Sequence, residues 1–385
     1  MRIYPSRHPN KRLTLCALIA LGASPAGAQN HPAVEFSNDA QTLTPDKETQ
    51  AKGKTDLLVV PIPLSNPATG SGLTLAGVLF YNPNDAPQPW VSGIGALHTS
   101  GGTKAIAGFH SMSLAQDRFR FLAVAGYADA KLKFYGIGAD AGHRDASVDI
   151  EDKGALAMVQ GQMRLFPHTY AGARFQYLDV TATVKAPHPN FPDLQLPPLE
   201  AESSLTMIGP ALTYDSRDSS TNPRKGVYAT ATWMFGTTIF GGDFKHDKLN
   251  IQTNLYSPIG PATVIATRGS LCGASTGAPF YDLCMFGMSS DLRGYETGRY
   301  RDRAFWAVQS EIRQQLSSRV GAVVFVGIGG IAPKLGSIFG DSTVLPAGGM
   351  GLRYKASKSS NINLRLDIAM GKDTQAVYFG IGEAF

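Results

Sequence analysis

The residue types in this 385-residue sequence that could do chemistry are a serine framed by glycines, eight histidines and three cysteines. Gly273, Ser275 and Gly277 satisfy G-x-S-x-G. That pattern presents a nucleophile only where a strand of an α/β sheet turns sharply into a helix. Ser275 instead falls in a loop between strand-like stretches, so the match is incidental. The histidines are scattered: His98 and His110 fall in separate strand-like stretches, and His143, His188 and His246 in or near loops. No H-E-x-x-H, C-x-x-C or phosphate-loop pattern occurs. The sequence therefore marks no catalytic residue, no cofactor site and no metal site, and reads as a protein that is not an enzyme. Hydrolysis by a serine and a histidine inside the fold is the most remote of three functional readings, because no such pair stands out.

The compartment comes from the first residues. Arg2, Arg7, Lys11 and Arg12 precede an apolar run over 13–23, and Ala26-Gly27-Ala28 supplies a small-x-small cleavage pattern. This is a signal peptide over 1–28, cut before Gln29. Its apolar run is too short for a membrane helix, which needs about 20 residues. Cys16 follows Leu15, where a lipoprotein signal has a small residue, so it is discarded with the signal. Those four basic residues also account for most of the charge: of 35 basic residues 31 remain after Gln29, against 30 acidic ones. A balance this close to neutral gives no reason to expect a nucleic-acid partner. Outside the cell interior, a disulfide between Cys272 and Cys284 is the default reading. Two unpaired buried thiols are the alternative.

The elements that hold these residues alternate with period two. Over 362–370, Ile362, Leu364, Leu366, Ile368 and Met370 share one face, and Asn363, Arg365 and Asp367 the other. Over 227–235, Val227, Ala229, Ala231, Trp233 and Phe235 oppose Tyr228, Thr230 and Thr232. One greasy and one polar face describe a strand between two environments. Sixteen such stretches can be counted, among them the sixth from residue 153, the eighth over 202–215, the ninth over 224–237, the eleventh over 260–273, the twelfth over 304–316 and the thirteenth over 319–331. Connections after even-numbered strands are mostly tight. Long ones follow odd-numbered strands, at 136–153, the Pro-rich 186–200, 273–303 and 332–344. A soluble sandwich has no reason to sort its loops by side, whereas an outer-membrane barrel does. The fold class is all-β: a transmembrane antiparallel β-barrel of sixteen strands over 57–385, preceded by a flexible periplasmic segment over 29–56.

Two segments carry a family resemblance. GPALTYDSRDSSTNPRKG (209–226) runs from the eighth strand through a turn into the ninth, and SSDLRGYETGRYRDR (289–303) lies in the long connection after the eleventh. With the terminal aromatic Phe385, which resembles the signal read by the barrel-assembly machinery, they resemble the BamA/TamA superfamily of outer-membrane assembly and translocation barrels, the bacterial surface antigen type. Glu383 departs from that signal, two positions before the end, where an apolar residue is usual. The resemblance implies that the long loop folds back into the lumen and that its arginine, here Arg293, meets an acidic residue on the wall. A guanidinium in a confined lumen needs a carboxylate. Glu311 lies on the face opposite Trp306, Val308 and Ile312, so it points inward and is the expected partner of Arg293. Gly294 lets the backbone turn past the wall and Tyr295 packs as a wedge. Gly327 occupies a position where assembly-type members carry aspartate, which takes a second acidic partner away from Arg293. Asp215, Arg217, Asp218, Pro223 and Gly226 form a periplasmic turn whose role is structural. A Cys272–Cys284 disulfide would stiffen the base of the inserted loop, by about 3 kcal/mol of loop-closure entropy.

The resemblance implies a bacterial outer-membrane location, contact with outer-membrane lipid and insertion by the barrel-assembly machinery. Assembly members carry periplasmic POTRA domains, and 29–56 is too short to hold one. The expectation is a barrel-only member with room for an unidentified periplasmic protein partner. Two functions follow. One is an assembly or translocation barrel that aids insertion or transport of protein or lipid. Its seam between the first and last strands is weakened by Pro61, Pro63, Pro67, Gly380 and Gly382. The other is a passive pore or structural surface antigen whose lumen the loop plugs.

Overall fold

In the computed structural model of the chain the described residues are 56–66, 70–83, 89–144, 146–184, 202–220, 222–287, 291–357, 362–372 and 374–385. The signal peptide, the segment before residue 56, Pro67, Ser289, Ser290 and the Pro-rich 186–200 lie outside them.

Among the described residues eighteen strands follow one another. The first eleven are β1 (Asp56–Asn66), β2 (Gly70–Tyr81), β3 (Trp90–Thr99), β4 (Lys104–Leu114), β5 (Phe119–Phe134), β6 (Val148–Phe166), β7 (Thr169–Val184), β8 (Ser203–Asp215), β9 (Gly226–Gly236), β10 (Asp247–Pro258) and β11 (Thr263–Ala274). Two short strands, β12 (Cys284–Met285) and β13 (Arg301–Asp302), interrupt the long connection after β11. The wall then resumes with β14 (Ala304–Gln315), β15 (Val320–Ala332), β16 (Thr343–Ser357), β17 (Ile362–Gly371) and β18 (Thr374–Ile381). All but β12 and β13 form one 16-stranded sheet in chain order, with β14 following β11 directly. Neighbours pair antiparallel throughout, and the sheet's ends, β1 and β18, lie against each other.

The alternation is inverted relative to a soluble domain. On β15, Val324, Val326 and Ile328 are exposed while Val323 and Phe325 are buried. On β14, Val308 and Ile312 face outward while Gln309, Glu311 and Arg313 are buried. Apolar side chains outside and charges inside are what a strand in lipid requires. No helix among the described residues is long and apolar enough to cross a membrane, and the exposed apolar surface belongs to the strands.

The interior has two halves. Inward residues of β2–β8, such as Val78, Phe80, Phe109, Val124, Leu156, Met158, Leu205 and Met207, form one apolar cluster with Phe280 and Tyr281 from the connection after β11. The inward face of β10–β17 is mixed: Lys248, Asn254, Arg268, Gln309, Glu311, Arg353 and Asp367 are all buried there, beside apolar residues such as Phe305, Phe325, Ile331 and Leu345. β6 starts five residues earlier than the alternation suggested, at Val148 instead of residue 153. The reason is packing: Val148 pairs with Phe134, and both join the apolar half with Ile150.

Val326 is exposed at the middle of a 13-residue strand. Val326→Arg is expected to destabilise the barrel by about 2–4 kcal/mol in a lipid bilayer. A denaturant titration in vesicles checks this, and an unchanged midpoint would place Val326 away from lipid.

Candidate functional site

The connection after β11 turns inward. A 3-10 turn at Phe280–Asp282 seats Phe280 and Tyr281 in the apolar half, and β12 and β13 then pair as a two-residue hairpin base, Cys284 opposite Asp302. Cys272 of β11 is disulfide-bonded to Cys284, with Cα atoms 5.8 Å apart. Between the two short strands the tip enters the lumen, where Leu292, Arg293 and Tyr295 are fully buried.

Arg293 donates through Nη2 to Glu311 Oε2 and through Nη1 to Asp367 Oδ2, the latter at 2.7 Å. Its main-chain N and its Nε both donate to Gln309 Oε1, at 3.2 and 3.3 Å. The guanidinium lies 3.6 Å from the centre of the Phe325 ring, a cation–π contact with the strand beside Glu311. The carboxylates are shared onward. Glu311 Oε1 accepts from Arg313 Nε at 2.6 Å, and Asp367 Oδ1 accepts from Arg353 Nη1. Glu383 joins those two arginines, at 2.7 Å from Arg353 Nε and 3.8 Å from Arg313 Nε. The contacts close a ring of alternating sign: Arg293, Glu311, Arg313, Glu383, Arg353, Asp367 and back to Arg293.

The ring puts an Arg-Gly-Tyr loop against the inner wall of an outer-membrane barrel, and sequence comparison gives that arrangement a family. The Omp85 superfamily domain matches residues 99–385. The chain belongs to the Omp85 superfamily. No curated protein matches it by sequence. Among solved structures, BamA from Haemophilus ducreyi lacking POTRA domains 1-3 is similar, with a TM-score of 0.57 at 14% identity, over 86% of this chain and 70% of that one. CdiB from Escherichia coli superposes with a TM-score of 0.60 at 12% identity, over 89% of this chain and 68% of that one. CdiB from Acinetobacter baumannii gives 0.57 at 12%, with 60% of its own length covered. At such identities the likeness is one of fold; it is membership of the Omp85 superfamily that places this barrel in the bacterial outer membrane.

Within this Omp85 barrel, the glycines mark where loop and wall touch. Gly294 has φ +115°, and a Cβ there would meet the backbone of Met370 and Gly371 at 2.9 Å. Its N–H donates to Tyr378 Oη at 3.0 Å, and Tyr295 Oη donates to the carbonyl of Pro346. Gly327 has a use that its missing carboxylate did not suggest: a Cβ there would fall 2.4 Å from Leu292 Cδ1 and 2.8 Å from the Val308 carbonyl. The wall is thinned at β15 so that the loop can lie close. Nor does its absence deprive Arg293 of a second acid, because β17 supplies Asp367 two strands further on.

Further latches surround the ring. Loop residue Asp291 accepts at Oδ1 from Arg268 Nε at 3.1 Å and from Ser270 Oγ at 2.8 Å, so the loop also offers an acid to a wall base. On the far side, Glu296 Oε2 accepts from Tyr135 Oη at 2.7 Å and Arg299 Nε donates to the Gly142 carbonyl at 3.0 Å, engaging the connection between β5 and β6. At the loop's base Asp282, fully buried, accepts from Lys248 Nζ at 2.9 Å and faces His246 Nε2 at 2.7 Å. Burial alone would raise the Asp282 carboxyl, but Lys248 and His246 outweigh it and hold it below the usual carboxylate range. Burial pushes the Arg301 guanidinium down to about 10, against the pull of Asp152.

The remaining expected residues fall elsewhere. Arg217 lies against Asp215, with Nε and Nη2 each 2.9 Å from a carboxylate oxygen, and its Cζ is 4.1 Å from the Tyr228 ring centre. Asp218 Oδ1 accepts the main-chain N–H groups of Arg224 and Lys225 at 3.0 and 3.1 Å. Pro223 is buried, and Gly226 has φ +114°, where a Cβ would fall 2.3 Å from the Ser216 carbonyl. This turn satisfies its own polar groups and touches none of the ring. Phe385 is drawn to the ring's edge, where its carbonyl accepts from Arg313 Nη2 at 2.7 Å. Asp367, Gln309, Asp291 and the Asp282 cluster were not singled out from sequence. The inward parity of Asp367 was the available signal.

Two outcomes follow from this geometry. Arg293→Ala leaves Glu311 with Arg313 and Asp367 with Arg353, so the loss is expected at about 2 kcal/mol, below the 3–5 kcal/mol of a pair with no second partner. Faster amide hydrogen exchange over 291–300 reads it, and unchanged protection would mean that packing alone holds the tip. Asp282 has a depressed folded-state pKa, so its contribution is present above its ordinary value of 3.8 and lost as pH falls through the folded value. Protection of 279–284 is therefore expected to fall only below pH 3.8, and Asp282→Asn should abolish that step.

Proposed function

We propose that this Omp85 barrel is an assembly or translocation barrel of the outer membrane, aiding insertion or transport of protein or lipid, and that it is not an enzyme. The observation that carries the reading is the closed charge ring, because it makes the loop tip a reversible lock instead of a loop of fixed covalent shape. Ion pairs and hydrogen bonds can be exchanged for others of the same kind, which a gate requires. The apolar inner face of β2–β8 argues against a water-filled porin, whose interior is polar. Pro61 and Pro63 lie within β1, the strand that lies against β18, and each removes a main-chain donor from it. The last strand and Phe385 would engage the barrel-assembly machinery, and the periplasmic mouth would receive an unidentified protein partner.

A passive plugged pore is the second reading, and the Cys272–Cys284 bond favours it by tying the base of the loop to β11. Single-channel conductance in planar bilayers separates the two. Under the assembly reading, wild type gives low, flickering conductance, and Arg293→Ala and Glu311→Ala give a large steady one. A steady large pore in all three proteins rejects the lock and leaves the porin-like antigen.

A further inference from the structure

The charge ring is self-neutral, three guanidinium groups against three carboxylates, yet an open recess beside it carries additional cations. The recess opens where β14 turns into β15 and where β16 ends, the side on which β18 also ends. Its lining includes Arg313, Arg353 and Glu383 of the ring together with Arg224, Arg319 and Lys355. Arg224 donates to the carbonyls of Gly260 and Pro261, and Arg319 to Tyr354 Oη, all neutral acceptors. Among the described residues none of these three cations is ion-paired. Arg313, 8% exposed, has a buried Nη1 with no hydrogen-bond partner among the described residues. A buried guanidinium N–H without an acceptor is costly unless a ligand supplies one.

Resting on the proposed function and deepening it, we infer that this recess is a docking site for an acidic polypeptide segment presented from the periplasm. The cations come from separate places along the wall: Arg224 of the β8–β9 turn, its guanidinium on the carbonyls of the β10–β11 turn beside β11, Arg319 at the β14–β15 turn and Lys355 at the end of β16. Three strand intervals at roughly 4.8 Å each put the outer two about 14 Å apart. A single phosphate cannot reach all of them, whereas successive carboxylates on an extended chain can, at about 3.3 Å per residue. Arginine forks suit carboxylates, and like-signed cations around a mouth steer anionic chains toward it. Arg313, Arg353 and Glu383 in the lining are buried inside the barrel, and the lining contains no aromatic residue on which a nucleobase could stack. The site also touches the lock directly. A carboxylate at Arg313 or Arg353 competes with Glu311 and Asp367 for the same guanidinium groups, so an arriving segment loosens the partners of Arg293.

The test is fluorescence anisotropy of labelled octaglutamate on the purified full-length barrel in detergent at low salt, with octalysine and a Gly-Ser octamer as controls. Octaglutamate alone is expected to bind, at least tenfold more weakly to an Arg319→Glu/Lys355→Glu variant that keeps its near-ultraviolet circular dichroism and leaves the ring intact. Arg313→Gln, which touches the ring, should weaken it as well. Equal binding of all three peptides, or no effect of the rim double variant, overturns the inference. So does competition by inorganic pyrophosphate at the concentration at which octaglutamate itself competes, since that would mark a simple anion site. Absence of octaglutamate binding in a barrel whose conductance still rises with Arg293→Ala removes this site and leaves the gated-barrel reading standing.

Discussion

The polar side of this barrel's interior is arranged around the cost of holding a guanidinium where there is little water. Arg293 is fully buried, and isolating one buried charge costs several kcal/mol. A single carboxylate would return part of that, at the expense of burying a second ion. The ring answers differently: each of its six charged groups has two neighbours of opposite sign, so every desolvated charge is compensated twice. Side-chain entropy is shared in the same way, because Glu311, once fixed by Arg313, loses little more by meeting Arg293. The backbone conforms to this demand. Gly294, Gly327 and Gly371 lie where loop and wall pass closest, and Gly351 is bare where a Cβ would strike Asp367 Oδ1.

The wall was legible in the sequence because lipid on one side and the lumen on the other impose period two on every strand. Sorting of long and short connections added the sidedness. Glu311 could be matched to Arg293 because the family resemblance implied an acidic partner on the wall and parity points Glu311 inward. Asp367 shared that parity, but nothing local says which inward residue of β17 is level with Arg293. That is set by the registers from β14 through β17 together, Glu311 opposite Phe325, Phe325 opposite Gly349, and Gly351 opposite Asp367. Glu383 looked like a departure from an apolar terminal pattern. It becomes intelligible as the ring's third acid once Arg313 and Arg353 are seen to flank it. Gly327 was misjudged for a related reason: a missing side chain is silent about what lies over it, and here it is Leu292. The cluster of Asp282 with His246 and Lys248 joins residues more than 30 apart through a loop without periodicity, so no pattern announced it.

The two halves of the interior divide the work of holding the loop. On the side of β2–β8, Phe280 and Tyr281 are held by burial of apolar area, which is non-directional and tolerates small displacements. On the side of β10–β17, Arg293 and Asp291 are held by charge-assisted hydrogen bonds that tolerate little displacement. A rearrangement of the tip therefore disturbs the polar half first and can leave the apolar half in place.

The disulfide sets how far such a rearrangement extends. Cys284 is bonded to Cys272 of β11, and Ala304 is paired with Gly273 of the same strand. Both ends of the stretch 285–303 are thus anchored within two adjacent positions of one wall strand. Releasing Arg293 and Asp291 frees a closed arc of the chain and leaves the Phe280–Asp282 turn, which lies on the other side of Cys284, held in the apolar half. Without the bond, the anchors on that side would be the two-residue β12–β13 pairing and the hydrogen bonds and packing of Phe286, and the arc could lengthen into the turn. The covalent link does not fix the tip; it confines motion to the part of the loop that carries the exchangeable pairs of Asp291 and Arg293, beside the apolar contacts of Phe286, Leu292 and Tyr295. A plug with its base tied and its tip held by exchangeable pairs is consistent with opening and reclosing at a defined place.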